Sequence, residues 1–369
     1  MAIQVITNFK FIHEKFKLNG VYYSNEALLH VASNFIKEGE PYEKEVGKFL
    51  QHWLDENEFV VVKTSGSTGT PKSIKIKKQA MVNSALATGE FFDLKPSDKA
   101  LHCLPTRFIA GKMMLVRAMV LGLEIDLEAP TAHPDFNIYR AYNFCAMVPL
   151  QLDNILQDFN LIKTIIVGGA PVSTALIEKL QGIDSHVYES YGMTETVTHI
   201  ALKKLNNLPP SLRGKAKRSA ESFKTLPNIR ISKDERDCLV IDAPKLSEEK
   251  IITNDLVEIY SETEFKWLGR IDNVINSGGL KFFPEQIEAK LQDKIQARFF
   301  IASKPHETLG EQLILLVEGG IESIDPSAFS SLKRNERPKN IFTLKQFVET
   351  ASGKVQRKKT VELISHNWS

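Results

Sequence analysis

A chain of 369 residues, 43% hydrophobic and 25% charged, is long enough for two or three domains and apolar enough to bury a sizeable core, which excludes a disordered chain. Its 47 basic and 45 acidic side chains nearly cancel, so no whole-molecule field points to nucleic acid or an acidic surface as partner. The three cysteines, Cys103, Cys145 and Cys238, are odd in number, widely spaced in sequence and without C-x-x-C spacing, the pattern of a reduced cytoplasmic protein rather than of a disulfide framework or zinc site.

Apolar side chains recur at helical spacing from about 24 to 54 (Leu28, Leu29, Ala32, Phe35, Ile36, then Val46, Phe49, Leu50, Trp53). "EFVVVK" and "SIKIKK" predict strands on either side of "TSGSTGTPKS", and helical spacing returns from about 79 to 92. Strand "ALHCLP" precedes a helix through Lys112 to Leu121. No run reaches the ~18 apolar residues of a membrane span, and even "MMLVRAMVLGL" carries Arg117, so no membrane partner is expected. "NFCAMVP", a helix near 150–158, "LIKTIIVGG", a helix over about 173–181 and "HVYESYG" continue the alternation, which predicts a mostly parallel sheet flanked by helices.

Beyond Ala201 the pattern changes. Residues 203–224 are polar and basic with a double proline and read as a loop. "NIRIS", "DCLVIDAP", "LVEIYS" and "EFKWLGR" then predict a small, largely antiparallel layer. After Arg270 the α/β pattern returns at smaller scale, with a helix from Pro284, strands "ARFFIAS" and "QLILLVEG", a helix near 326–334 and a lysine-rich tail. The expected class is α/β: a large N-terminal domain, 1–271, of mixed and parallel sheets flanked by helices with a small antiparallel layer, and a small α+β C-terminal domain, 272–369.

From Gly66, "TSGSTGTPKS" reads glycine, four residues, Pro71, Lys72, Ser73, one residue away from the P-loop spacing of nucleotide hydrolases. A P-loop feeds a helix N-terminus, whereas Ile74, Lys75, Ile76 and Lys77 alternate as a strand, and Pro71 has no N–H to offer a phosphate. The stretch therefore reads as a hairpin loop. Gly66 and Gly69 let backbone N–H groups converge, Thr64, Ser65, Ser67 and Thr68 add hydroxyls, and Lys72 adds a positive charge, a set of donors suited to a polyphosphate.

Six segments in fixed order resemble the adenylate-forming enzymes, the superfamily of acyl-CoA and aryl-CoA synthetases, luciferases and peptide-synthetase adenylation domains. "TSGSTGTPKS" is similar to the phosphate loop of that family. "VGGAPVS", with Gly168, Gly169 and Ala170, resembles its adenine-contacting segment. "YESYGMTET", with Ser190, Tyr191, Gly192 and Met193, resembles the segment whose tyrosine packs on adenine and whose Thr–Glu pair, here Thr194 and Glu195, contacts phosphate and magnesium. "TNDLVEI" supplies Asp255 for the ribose, and "LGRIDNVINSGGLKFFPEQIE" supplies Arg270, the hinge Asp272 and the thiol passage Ser277, Gly278 and Gly279. "ASGKVQRKK" resembles the loop with the catalytic lysine, here Lys354, on a C-terminal domain that rotates about the hinge.

The resemblance spans roughly residues 58–360 and implies ATP and Mg2+, with coenzyme A as a substrate: a carboxylate attacks the α-phosphate of ATP, and CoA then takes the acyl group as a thioester. The physical chemistry agrees residue by residue. Lys354 is a mobile cation for phosphoryl charge, Glu195 a hard oxygen ligand for magnesium, Asp255 an acceptor for a ribose diol, Arg270 a donor to sugar or phosphate, and Tyr191 a flat face for a purine. About 270 residues precede Asp272, fewer than in most relatives, so part of the usual N-terminal subdomain is expected to be missing. Asn254 also stands where relatives have glycine.

Among compact bacterial members, "LHCLPTRFIAGKMMLVRAMVLG" resembles the acyl-pocket segment of the ligases acting on o-succinylbenzoate in menaquinone synthesis, with Arg107 and Phe108 in place of the usual aromatic and histidine. That acid is a dianion with an aromatic ring, so Arg107, Phe108, Gly111, Lys112 and Arg117 are expected to line its pocket, with Thr198 and His199 as further donors. The same ATP motifs would serve an enzyme loading an aryl or fatty acid onto a carrier protein. The expected partners are the carboxylic acid, ATP and CoA, without nucleic acid or membrane, and the resemblance is compatible with a homodimer.

Overall fold

The computed structural model describes residues 8–63, 73–137, 139–207, 222–320, 324, 327–350 and 355–365. Its centre is one twelve-stranded sheet in the order β1-β5-β4-β6-β7-β8-β9-β10-β14-β13-β12-β11. The half from β1 to β8 is parallel: β1 (Lys17–Leu18), β4 (Lys99–His102), β5 (Glu124–Leu127), β6 (Tyr142–Met147), β7 (Ile162–Val167) and β8 (His186–Gly192). From β9 (His199–Lys204) onward every pairing is antiparallel, through β10 (Phe223–Thr225), β14 (Glu264–Arg270), β13 (Ile251–Ser261), β12 (Cys238–Asp242) and β11 (Arg230–Lys233). The expected antiparallel layer is thus the continuation of the parallel sheet, joined where β9 turns back along β8.

Strand alternation places the two cores. Ala100, Phe144, Ala146 and Ile166 face one side, where they meet α3 (Lys78–Phe92) and α4 (Ile109–Leu121), with α1 (Asn25–Glu38) and α2 (Pro41–Leu54) in the same core. Leu101, Cys145, Ile165, Val167 and Val187 face the other, under α5 (Pro149–Asn154) and α6 (Thr174–Lys179). Cys103 and Cys145 meet in this second core with Sγ atoms 3.8 Å apart, and all three cysteines are free thiols. Local chemistry sets the helix ends. The Ser24 hydroxyl accepts the Ala27 N–H at the start of α1, Pro41 opens α2, and Gly122 ends α4 in the left-handed region at φ 73°.

β2 (Phe59–Lys63) and β3 (Ser73–Lys77) form their own antiparallel pair, with Lys63 opposite Ser73. The phosphate-loop stretch Thr64–Lys72 lies outside the described residues, but the strands on both sides of it are the ones expected.

The predicted helices at 150–158, 173–181 and 326–334 are shorter than expected. α5 stops at Asn154 and the chain tightens into a 3-10 turn over Leu156–Leu161. α6 spans Thr174–Lys179, and only the 3-10 turn Ala328–Ser331 replaces the third. In that last segment Leu332 is already extended, and the Glu336 carboxylate accepts the Lys333 N–H, closing a turn in place of a helix.

β14 ends at Arg270 and a 3-10 turn, Ile271–Asn273, leads to a five-stranded sheet. There β15 (Ile275–Ser277) pairs with β16 (Leu280–Phe282) and β18 (Gly310–Glu318), and β18 is flanked by β17 (Phe299–His306) and β19 (Asn340–Leu344). The apolar run of β18 is explained by its two covered faces. Leu313, Leu315 and Val317 meet α7 (Pro284–Leu291), while Ile314 and Leu316 meet Phe347 and Ile364, beyond which α8 (Arg357–Glu362) closes the layer. α7 touches the large sheet, where Gln286 donates to the Trp267 carbonyl at 3.3 Å, and Asp293 accepts the Ala175 N–H at 3.0 Å. Among the described residues, no helix is long and apolar enough to cross a membrane.

Candidate active site

The carboxyl ends of β7 and β8 are where an open parallel sheet binds ligands, and the segments "VGGAPVS" and "YESYGMTET" emerge there. Gly168 follows β7 directly, its N–H donating to the Met147 carbonyl at 3.1 Å, and the Ser190 hydroxyl donates to the Val167 carbonyl at 3.1 Å. A Cβ on Gly168 would stand 2.3 Å from Ser190 Oγ, and Gly169 has φ +84°, so both glycines are dictated locally. Ala170 is exposed beyond them.

Tyr191 sits with its ring edge-on to Phe265, 5.2 Å between centroids, and tilted against Phe223 at 5.8 Å. Its hydroxyl donates to Asp255 Oδ2 at 2.6 Å, a contact between residues 64 apart in sequence. Burial, then the Asp255 charge, pushes the phenol well above its ordinary pKa, so it stays a donor. Asp255, 6% exposed on β13, lies opposite Arg270 on β14, whose guanidinium stands 3.5 Å from Asp255 Oδ1 and 3.3 Å from Asp272 Oδ2. Tyr191, Asp255, Arg270 and Asp272 therefore form one row of hydrogen bonds and ion pairs. Asn254 lies within strand β13 and donates to the same Asp272 oxygen at 3.3 Å.

Between β8 and β9 the chain makes a turn that sequence reasoning missed. Thr194, Glu195 and Thr196 form a 3-10 turn, and Val197 follows at φ 67°, ψ −56°, with the Thr198 N–H donating to the Thr196 carbonyl at 2.7 Å. This is a γ-turn of the rare strained kind, centred on a β-branched residue. The buried Thr196 hydroxyl holds it by accepting the Met193 N–H at 3.0 Å and lying 2.7 Å from the Thr198 carbonyl. Gly192 is required beneath it, because a Cβ there would lie 2.3 Å from the Thr198 carbonyl oxygen and 2.5 Å from His199 Cα. Such strain, held in place by its surroundings, is characteristic of functional sites, and here it presents Glu195 exposed at the end of β8.

Directly below this turn lies the second cluster. The Arg117 guanidinium, 2% exposed, donates to Thr88 Oγ1 at 3.3 Å, Thr198 Oγ1 at 3.5 Å and His199 Nδ1 at 3.3 Å. Among the described residues it has no carboxylate within ion-pair distance. Burial pulls its pKa down to about 9, which leaves it charged at neutral pH. His199 is held neutral by burial and by Arg117. With Nδ1 accepting from Arg117, its proton belongs on Nε2, 3.4 Å from Thr88 Oγ1. Thr88 is the residue sequence reasoning missed. The available signal was a hydroxyl on the buried face of an otherwise apolar stretch of α3.

The remaining residues expected in the acyl pocket have partners of their own. Arg107 is ion-paired with Glu45 of α2 at 3.1 Å and lies over the Phe108 ring, which is 40% exposed at the start of α4. Lys112 Nζ donates to the Thr106 carbonyl at 2.5 Å and the Arg107 carbonyl at 3.2 Å, above the Phe49 ring, and burial pulls its pKa down to about 8. Gly111 permits this packing, because a Cβ would lie 2.4 Å from the Pro105 carbonyl oxygen. The structure thus brings Arg117, Thr198 and His199 together and gives Arg107 and Lys112 other partners. Gly278 and Gly279 form the β15–β16 turn at φ 57° and 78° after Ser277. Lys354 and the residues Thr64, Ser65, Gly66, Ser67, Thr68, Gly69 and Lys72 lie outside the described residues.

Residues 18–235 match the family model described as AMP-binding enzyme. The 2-succinylbenzoate–CoA ligase of Lactococcus lactis is 23% identical over 326 residues, 82% of this chain and 71% of that protein. An acyl-CoA synthetase (AMP-forming)/AMP-acid ligase II-like protein from Dyadobacter fermentans is 37% identical, with a TM-score of 0.57 over 88% of this chain and 95% of that one. The o-succinylbenzoate coenzyme A synthetase of Bacillus subtilis, solved with ATP and magnesium ion, shares the fold at 20% identity, with a TM-score of 0.67 over 85% of this chain and 74% of that one.

Proposed function

This chain belongs to the AMP-binding enzyme family, as an AMP-forming acid–CoA ligase, and we propose that its acid is a dianion of the o-succinylbenzoate type, as in menaquinone synthesis in the cytoplasm. The observation that carries the substrate class is Arg117, a buried cation with hydroxyl and imidazole partners but no described carboxylate. A buried charge without a counter-ion is costly, and an acid bearing a second carboxylate would supply one across Thr198. The Lactococcus and Bacillus relatives support the same acid.

In this reading the substrate carboxylate attacks the α-phosphorus of ATP and pyrophosphate leaves. The CoA thiolate then attacks the acyl carbon, and the bond to AMP breaks. Tyr191 and the backbone at Gly168 and Gly169 hold the adenine, while Asp255 and Arg270, already fixed to each other, hold the ribose. The donor set fits magnesium: Glu195 is one exposed carboxylate on a rigid turn, suited to an octahedral ion that keeps waters and phosphate oxygens as its other ligands. When bound, the ion would neutralise phosphate charge during pyrophosphate departure. Thr194 joins Glu195 at the phosphates, with Thr64–Gly69 and Lys72 as the loop around them and Lys354 as the cation of the first step. Residues 272–369, turning about Asp272, would then bring Ser277, Gly278 and Gly279 to the second step.

The test is the pair of half-reactions. Lys354→Ala should lose pyrophosphate release by about 100-fold or more, yet convert supplied acyl adenylate and CoA to thioester. Loss of both steps in a folded protein would contradict this division. Pyrophosphate release by the native enzyme without transfer to CoA would favour a carrier protein as acceptor.

A further inference from the structure

We infer that Thr88 is a positioning residue of the acid site, which together with His199 turns one edge of the Arg117 guanidinium toward the second carboxylate of the acid, an inference that rests on the reading that the acid is a dianion. Thr88 is wholly buried on α3, and its hydroxyl donates to the Ser84 carbonyl one turn back at 2.9 Å. That bond uses the one hydroxyl proton, so both lone pairs of Oγ1 are left to accept. Arg117 Nε donates to this oxygen at 3.3 Å, and His199 Nε2 lies 3.4 Å from it.

His199 closes the ring. Its Nδ1 stands 3.3 Å from Arg117 Nη2, and because a guanidinium can only donate, Nδ1 must accept and the imidazole proton on Nε2 faces Thr88. Every proton in the ring of Thr88, Arg117 and His199 therefore has one direction, set at its root by the Ser84 carbonyl. A proton on Nδ1 would set two donors against each other, and Thr88→Val would leave Arg117 Nε and His199 Nε2 without an acceptor. Burial and the Arg117 charge hold His199 neutral, the state this pattern needs.

The ring occupies one edge of the guanidinium and leaves another. Nε and Nη2 lie along the side held by Thr88 and His199, whereas the end formed by Nη1 and Nη2 meets, among the described residues, the Thr198 hydroxyl at 3.5 Å and the Met114 sulfur at 3.8 Å. The first contact is longer than an ordinary N–H···O bond, and a thioether is a weak acceptor. A carboxylate takes two parallel N–H groups at once, and this end of Arg117 offers the pair. The acid would replace the Thr198 contact while the ring keeps the plane of the guanidinium fixed. A cation held in its bound orientation in advance loses less freedom when the anion arrives.

The native protein alone tests the ring. Long-range proton–nitrogen NMR of the imidazoles, with His199 identified by its loss in His199→Gln, should show the tautomer protonated on Nε2, and a proton on Nδ1 or an imidazolium would overturn it. Thr88→Val removes the hydroxyl at nearly constant volume and should mix the His199 tautomers. It should also lower the ratio of kcat/KM for o-succinylbenzoate over that for benzoate by about ten- to a hundredfold. Thr88→Ser keeps the hydroxyl and should restore both readouts. A merely structural threonine would lower the unfolding midpoint in Thr88→Val and move neither. A native preference for o-succinylbenzoate that Thr88→Val leaves unchanged would overturn the positioning role and leave the dianion reading standing. A tautomer lost in Thr88→Val, in an enzyme that does not distinguish the two acids, would support the orientation of Arg117 and count against the dianion reading alone.

Discussion

Helix α4 and the turn that leads into it carry three cations with different surroundings. At its start Arg107 has Glu45, and Lys112 has two backbone carbonyls and the Phe49 face. One turn before its end Arg117 is more deeply buried, yet among the described residues its partners are uncharged: Thr88, Thr198, His199 and the Met114 sulfur. Residue type alone makes all three equivalent candidates for an anionic substrate. The difference in partners separates them: Arg107 has a counter-charge built into the fold, Lys112 has two carbonyl acceptors with the Glu45 charge nearby, and Arg117, with neither, is the one we propose is prepared for a charge that arrives.

The strongest way to break this comparison is Arg117→Met. It should lower kcat/KM for a dicarboxylate by about ten- to a hundredfold, the value of a charged hydrogen bond at about 1.5–3 kcal/mol, and affect a monocarboxylate such as benzoate far less. Steady-state kinetics on both acids checks it, and equal losses would reduce Arg117 to a structural group. Thr196→Val comes next. It keeps the volume but removes the hydroxyl that holds the Val197 γ-turn, so denaturant unfolding should show a loss of about 1–3 kcal/mol together with weaker adenylation.

Tyr191→Phe frees one side of Asp255 and should raise KM for ATP about two- to tenfold, in line with ~0.5–1.5 kcal/mol for a hydrogen bond, with kcat for the thioester step unchanged. Arg107→Ala removes an exposed pair and should stay within about 1 kcal/mol in stability, with little change for either acid. A loss as large as that of Arg117→Met would erase the contrast.

Lys112 sharpens the contrast through pH. Its pKa is lowered from 10.5 to about 8 in the folded protein, so between those values the unfolded chain binds more protons and stability from this group rises with pH. The unfolding midpoint of the native protein relative to Lys112→Met should therefore rise from pH 8 to pH 10.5. A flat difference would mean that the ammonium is not desolvated.

The parallel half of the sheet was legible in the sequence because its strands are short apolar runs separated by helical spacing, and α4 because it is apolar on every side. Strands β1, β5, β9, β10, β15, β16 and β19 escaped, and the loop expected over 203–224 is strand at both ends, Lys203 and Lys204 in β9 and Phe223 and Lys224 in β10. β1 has two residues, β5 alternates Glu124 and Asp126 with its apolar positions, and β19 pairs in parallel with a strand that ends about 20 residues earlier. Tyr191, Asp255 and Arg270 could be named from their segments, but that the first donates to the second depends on the antiparallel return of β9–β14. The γ-turn at Val197 was not legible, since valine is a residue that propensity assigns to a strand. Local preference and structure disagree at the turn that presents Glu195, the kind of disagreement found where a sequence serves more than its fold.

The measurement that tests the central claim most directly is pyrophosphate release and thioester formation by the native protein with Mg-ATP and CoA, comparing o-succinylbenzoate with benzoate and a medium-chain fatty acid. Both products from o-succinylbenzoate, with little from the two monocarboxylates, is the result expected from an unmatched Arg117. Turnover of the monocarboxylates at the same kcat/KM, or of the fatty acid alone, would contradict it.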